Sequence, residues 1–284
     1  MCCRATTSAR IDRHAPGILL APLLLLLLLL TGCDPALVLV TDPITDVLYP
    51  DLHERLAEAA GGRVHRIETD PFSSESALSV PEAAPVVMSM IASGLFPDDS
   101  SMRDSRPVVT IGGYAVEPRD GLLLFDPGPA AADAAAHAVT RAAGRGDLHA
   151  VCFFVMETDA VARRIRSEFV NEFTRASAGT TVELREQRWF SDPGNEAVRR
   201  AVRDARDDNC VMVLVLGTRL PVALEIVESR PVPVIVASDH VHHPRTDLAG
   251  WFVRPVADAV SEWLLRPQDG VLFPARFHYS TESR

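Results

Sequence analysis

From Leu37 onward the chain alternates short apolar runs with longer amphipathic ones, and this alternation limits its fold more than any other feature. Leu37–Thr41 reads as a strand, and Val47–Ala60 has helical spacing that stops at Gly61-Gly62. Val64–Ile67 is a second strand. Pro71–Ala84 is weakly helical and interrupted by Pro81, and Val86–Ile91 is a strand or a buried helical turn. After a polar stretch at Asp98–Ser105 come two more strands, Val108–Ile111 and Leu122–Phe125. Strands that alternate with helical segments form βαβ units, whose sheet is parallel and covered by helices on both faces.

The rhythm then restarts. Ala130–Ala143 is an alanine-rich helix, and Ala150–Met156 a strongly apolar strand. A helix over Asp159–Ala176 is followed by a strand at Thr181–Glu186. The next helix spans Pro193–Arg206, with Asp192 as N-cap and Pro193 at the first helical position. Val211–Leu216 has the continuous apolar character of a strand buried on both faces. A short helix at Leu220–Glu228, a strand at Val232–Ala237, an extended piece at Gly250–Val253, a helix at Val256–Leu265 and a last extended piece at Val271–His278 complete the chain. The expected class is α/β, with two doubly wound parallel-sheet lobes. The first lobe takes residues 33–128 plus about 253–272, and the second 129–252 plus about 273–284.

Several pieces of the chain, taken in order, carry a family resemblance. They are Leu122–Asp133, the arginine-rich Ala162–Phe169, Val182–Arg188 leading into Trp189, and Val232–Ala237 ending in Ser238-Asp239. Phe252-Val253-Arg254-Pro255, Val271–Pro274 and Phe277–Thr281 continue the series. In this order the chain resembles the effector-binding core of lactose-repressor-type regulators and the type I periplasmic binding proteins over nearly all of residues 36–281. The resemblance implies two lobes joined by three crossings, with a small ligand in the cleft between them. A lipoprotein-type leader stands where the regulators carry a DNA-binding head, which turns the expectation from repressor to exported receptor. Gly217-Thr218-Arg219 replaces the Asn-Asp common in relatives, and Glu168 stands where they often have glycine, so a standard sugar pocket is not assured.

In parallel sheets of this kind ligands sit at the carboxyl ends of strands, near the switch point of the strand order. The candidates at such strand ends are Asp42 and Asp46 after the first strand, Asp126 ending the fifth, Trp189 and Asp239, and the resemblance implies in addition an arginine near a helix start, here Arg163. Each has a structural alternative. Asp42 and Asp46 suit the positive end of the following helix. Asp126 precedes Pro-Gly-Pro and suits a turn. Arg163, Arg164 and Arg166 suit a solvated helix face, and which of them reaches a ligand stays open. Trp189 is either a stacking platform, as the resemblance implies, or packing.

Ahead of the first strand lie Arg4, Arg10 and Arg13, an apolar run from Ile18 containing eight consecutive leucines, and Leu30-Thr31-Gly32-Cys33. Basic head, apolar middle and small residues describe a secretory signal over residues 1–32. The ending is similar to a bacterial lipobox, which implies cleavage before Cys33, its lipidation, and anchorage to a periplasm-facing membrane. The precursor carries a net charge of −10, which opposes binding to nucleic acid. All 28 basic residues are arginine, so neither a Schiff-base lysine nor a phosphate-loop lysine exists.

Cys152 lies in one predicted core strand and Cys210 beside another, and whether they pair is open at this point. Asp239-His240-Val241-His242-His243 lies too close together in one loop to form a convincing metal site, and no nucleophile–base–acid set is visible. Neither metal nor cofactor is expected. The expected function is a lipid-anchored solute-binding protein, with an ABC permease as partner and a sugar, nucleoside or similar solute as ligand. The alternatives are a ligand-sensing or structural lipoprotein and, further off, a periplasmic enzyme.

Overall fold

The structure is a computed structural model that describes residues 36–70, 84–94, 105–216, 222–223, 233–237, 248–267 and 270–280. The first unit runs β1 (Leu37–Thr41), α1 (Pro43–Leu48), α2 (Leu52–Ala59), β2 (Val64–Glu68), β3 (Val86–Met88), α3 (Met90–Gly94), β4 (Val108–Tyr114) and β5 (Leu122–Asp126). The second runs α4 (Gly128–Gly144), β6 (Ala150–Met156), α5 (Ala160–Ala176), β7 (Glu183–Trp189), α6 (Gly194–Asp207), β8 (Cys210–Leu214), β9 (Val234–Val236) and β10 (Leu248–Val253). The chain closes with α7 (Val256–Leu265), β11 (Gly270–Pro274) and β12 (Arg276–Tyr279).

These strands form two six-stranded sheets, ordered β2-β1-β3-β4-β5-β11 and β7-β6-β8-β9-β10-β12. The same winding is thus used twice, with the first strand of each unit second from one edge. Every pairing is parallel except β10 with β12. The doubly wound α/β expectation is met. Each sheet has its switch point between its first and third strands, β1/β3 and β6/β8.

The chain passes between sheets at 126–128, 253–256 and 274–276. The last extended piece therefore divides. Expected as one run, it breaks at Ala275, and its halves join different sheets. The region expected as one helix from Val47 also divides, into α1 and α2. Pro50 disfavours helical backbone at Tyr49, which adopts φ −136° and ψ 67°. Val86–Ile91 resolves into both alternatives, three residues of strand followed by the start of α3. Asp192 lies one residue further from its helix than expected, and its Oδ1 accepts the Gly194 N–H at 3.0 Å. The expectations at 71–84, 98–105 and 220–228 fall almost entirely outside the described residues.

Packing follows residue size. Six alanines of α4, from Ala130 to Ala142, are buried, and their small side chains let this helix lie close to α5 and the second sheet. Phe153 of β6 stacks on Phe169 of α5 with centroids 4.4 Å apart. Trp263 of α7 is fully buried in the same continuous core. The edge strand β7 exposes Glu183, Arg185, Gln187 and Arg188, charged and polar groups that discourage edge-to-edge pairing with another chain. No helix among the described residues is long and apolar enough to cross a membrane.

Cys152 and Cys210 are joined by a disulfide across β6 and β8, with Cα atoms 5.7 Å apart. The bridge closes a loop of 58 residues in sequence, which restricts the unfolded chain. A closure of that length contributes about 4 kcal/mol in the chain-entropy description. The Cys152→Ala, Cys210→Ala double variant is expected to lose about 2–4 kcal/mol of stability in urea denaturation under oxidising conditions. In excess reductant the parent should fall to near the stability of the variant.

Candidate functional site

Asp42 occupies the carboxyl end of β1 with no solvent exposure. It is the N-cap of α1, where Pro43 supplies the fixed backbone angle suited to a first helical turn. Oδ1 accepts the backbone N–H groups of Ile44 at 2.9 Å and Thr45 at 3.0 Å. Oδ2 accepts the hydroxyls of Thr45, at 2.7 Å, and of Ser89. Ser89 follows β3 and in turn accepts the Ala92 N–H with its Oγ at 3.0 Å, capping α3. The β1/β3 switch point is therefore bridged by the chain's own groups. Burial pushes the Asp42 carboxyl up, but the hydrogen bonds from Ser89, Thr45 and Ile44 outweigh it and hold the group below its ordinary range. Asp46, one turn along α1, pairs with Arg66 of β2.

Asp126 ends β5 at the first crossing. Arg164 of α5 grips it with two hydrogen bonds, Nε to Oδ1 at 3.2 Å and Nη2 to Oδ2 at 3.1 Å. The Gly128 N–H also donates to Oδ1, at 2.9 Å. A side chain at Gly128 would meet the Arg164 guanidinium at 2.7 Å, so glycine leaves the room this grip needs. Arg164 also binds Glu168 at 2.6 Å, which explains a carboxylate at that position. The arginine of α5 that meets Asp126 is thus Arg164. Its neighbour Arg163 reaches the Glu157 carbonyl at 3.3 Å.

Trp189 ends β7 and stacks on Phe154 at 5.8 Å, against the core face that holds the disulfide. Beside it Glu157, whose side chain is only 9% exposed, binds Arg188 at 2.9 Å and Arg166 at 3.2 Å. Structure thus places Asp42 and Asp46 together at one strand end, Asp126 at the crossing, and Trp189 and Arg163 at the second sheet's carboxyl edge. Asp239 and Cys33 lie outside the described residues, as does the histidine run 240–243. No metal-binding group of side chains occurs among the described residues.

A cavity of about 300 Å³ opens where the lobes meet. One wall is the α1–α2 junction and the start of α2, with Tyr49, Asp51 and Arg55. The other is the end of β10 with Trp251 and the fully buried Phe252, and the second crossing with Arg254. Arg254 spans the lobes: its Nη1 donates to the Gly112 carbonyl of β4 at 2.6 Å, and its guanidinium lies 5.5 Å from the Tyr49 ring and 5.9 Å from the Tyr114 ring. Aromatic packing of this kind orients a guanidinium while leaving its charge in place. None of the described strand-end candidates lines this cavity. Its available signals were the Tyr49-Pro50 helix break and an arginine directly before the proline that opens α7.

No family model matches the chain, and no curated protein matches it in sequence. Solved structures do share its fold. A solute-binding protein of an ABC transporter system from Aeropyrum pernix K1 is 15% identical, with a TM-score of 0.50 over 86% of this chain and 76% of that one. An arabinose-binding protein from Geobacillus stearothermophilus is 13% identical, with a TM-score of 0.52 over 82% of this chain and 87% of that one. A transcriptional activator of the comK gene from Bacillus halodurans is 11% identical, with a TM-score of 0.54 over 87% and 91%. At such identities the likeness is one of fold, and it joins the chain to the periplasmic-binding-protein-like architecture.

The depressed Asp42 carboxyl gives a signed expectation. Its contribution is complete above the ordinary carboxylate range and declines as pH falls through its lowered folded value. Asp42→Ala should cost about 1–2 kcal/mol at pH 7, the scale of a lost N-cap. Urea denaturation across pH should show the gap between parent and variant narrowing below about pH 4. A gap that stayed constant into strong acid would contradict this assignment.

Proposed function

We propose that this chain is an exported, lipid-anchored solute-binding protein, the substrate-binding component of an ABC transporter, that takes a sugar, nucleoside or similar small polar ligand between its lobes. The observation that carries the reading is the doubled fold: two sheets of the same winding, joined by three short crossings, with switch-point strand ends at the carboxyl edges. Such a pair of rigid bodies on short connections suits hinge closure around a small molecule. Ligand stabilises the closed form only through contacts better made there than in the open one.

Two features support export. The leader ends in Leu30-Thr31-Gly32-Cys33, and the mature region carries the Cys152–Cys210 disulfide, which belongs in an oxidising compartment. Asp239 remains the residue assigned to ligand by resemblance. A second reading, a ligand-sensing lipoprotein without an uptake role, draws on the saturation of Asp42 and Asp126 by the chain's own donors.

A thermal-shift screen over sugars, nucleosides and related solutes tests the function. At a hundredfold excess over Kd a specific ligand adds about 2.7 kcal/mol, and Asp239→Ala should abolish the shift. Silence across the whole panel would remove the solute-binding reading. For export, the parent should fractionate with membranes and Cys33→Ser should not. Equal fractionation of the two would dismiss the lipid anchor.

A further inference from the structure

We infer that the seat of β12 on α4 is acid-labile, because His137 fills the space between them, and that the third crossing is thereby sensitive to protons. β12 enters the edge of the second sheet directly after that crossing and pairs antiparallel with β10. Side chains alternate along a strand, so Phe277 and Tyr279 share the face that meets α4, and Arg276 and His278 take the other. His137 of α4 stacks on the Tyr279 ring with centroids 5.1 Å apart and lies 5.5 Å from the Phe277 ring. Phe277 in turn meets the fully buried Phe252 edge-on at 6.4 Å. A side chain at Gly250 would collide with the Phe277 ring, so glycine leaves the room this row needs.

Within the row, Nε2 of His137 is buried and has no hydrogen-bond partner. A neutral imidazole tolerates this, since one of its ring nitrogens carries no proton. Protonation makes both nitrogens donors and leaves a buried charged N–H without an acceptor. The surrounding charges do not compensate. On α4, Arg141 lies one turn on and opposes a second cation. Asp133, one turn back, is exposed, and burial and the nearby Glu172 of α5 push its carboxyl up. Glu172 pairs with Arg175, and Arg164 of α5 pairs with Glu168. β6, β8, β10 and β11 also pack on α4 and bring no charged side chain. Stacking on Tyr279 favours a cation modestly. Burial, and then the Arg141 charge, push the imidazole the other way, below its ordinary range. The folded state therefore holds His137 neutral, and the contact is complete above the unfolded value near pH 6.5 and weakens as pH falls below it. Asp133 has the opposite sign and cannot cause such a fall. Just before β12 the Ala275 N–H donates to the Asp126 carbonyl at 2.8 Å, so loosening of the strand reaches the junction of the first and third crossings.

The inference goes beyond solute binding, and its test needs no solute. Amide hydrogen exchange of the full chain is followed by mass spectrometry from pH 7.5 to 5.5, with rates corrected for the intrinsic pH dependence. Protection of residues 276–280 should fall about three- to tenfold, tenfold being the limit that an unfolded value near 6.5 sets. His137→Phe keeps a ring without a titrating proton and should abolish the fall. His278→Gln, on the far face of β12, should fall as the parent does. If His137→Phe does not fold, His137→Gln takes its place, and if neither folds the parent profile decides. A fall confined to 276–280 supports the inference. Flat protection in the parent, a fall retained in the His137 variant, or an equal loss of protection in β2 and β6 overturns it.

Discussion

Asp126 ties the two halves of the molecule together with both its main chain and its side chain. Its carbonyl accepts the Ala275 N–H at 2.8 Å, which joins the first crossing to the third. Its carboxylate receives two hydrogen bonds from Arg164, a residue of the second lobe. A two-point guanidinium–carboxylate pair fixes direction as well as distance. Solvent reaches the Arg164 side chain, which is 39% exposed, so the pair contributes more to orientation than to net stability. The second crossing is held separately, through Arg254 and the Gly112 carbonyl. Each crossing thus has its own polar contact, and two of them share one residue.

Much of the architecture was legible because apolar runs and helix punctuation are local signals. Leu37–Thr41, Ala150–Met156 and Val256–Leu265 have the boundaries that their patterns suggest. The misplacements have local causes too. Tyr49-Pro50 broke a helix that apolar spacing alone ran through. β7 extends to Trp189 because an edge strand of alternating charge has a weak apolar signature. The division of the last extended piece between sheets could not be read locally, since both halves look equally extended and only tertiary pairing separates them.

The candidate site was less legible, because a strand end advertises a polar residue without saying what fills it. Asp42 fits the helix-start alternative: its oxygens are occupied by α1 and Ser89. Asp126 is a turn residue through Gly128 and an ion-pair partner through Arg164 at once. In the arginine-rich helix, spacing could not distinguish Arg163 from Arg164, because adjacent helical residues differ by about 100° in direction and the partner lies 38 positions away in sequence. The Arg254 group was missed for a related reason. Its environment is assembled from Tyr49, Gly112 and Tyr114, which are far from it in the chain and meet only when the lobes do.

Every crossing also contains or adjoins a proline: Pro127, Pro255 and Pro274. Proline fixes its own φ, so rotation of one lobe against the other must be absorbed by few remaining backbone angles. At the first crossing Gly128, the most permissive neighbour, is buried beneath the Arg164 guanidinium. Free swinging of the lobes is therefore poorly suited to these connections. Rotation about the second crossing would move Arg254 relative to the Tyr49 and Tyr114 rings it lies against. The cavity wall and the second crossing share Arg254, whose hydrogen bond to the Gly112 carbonyl ties that crossing to β4.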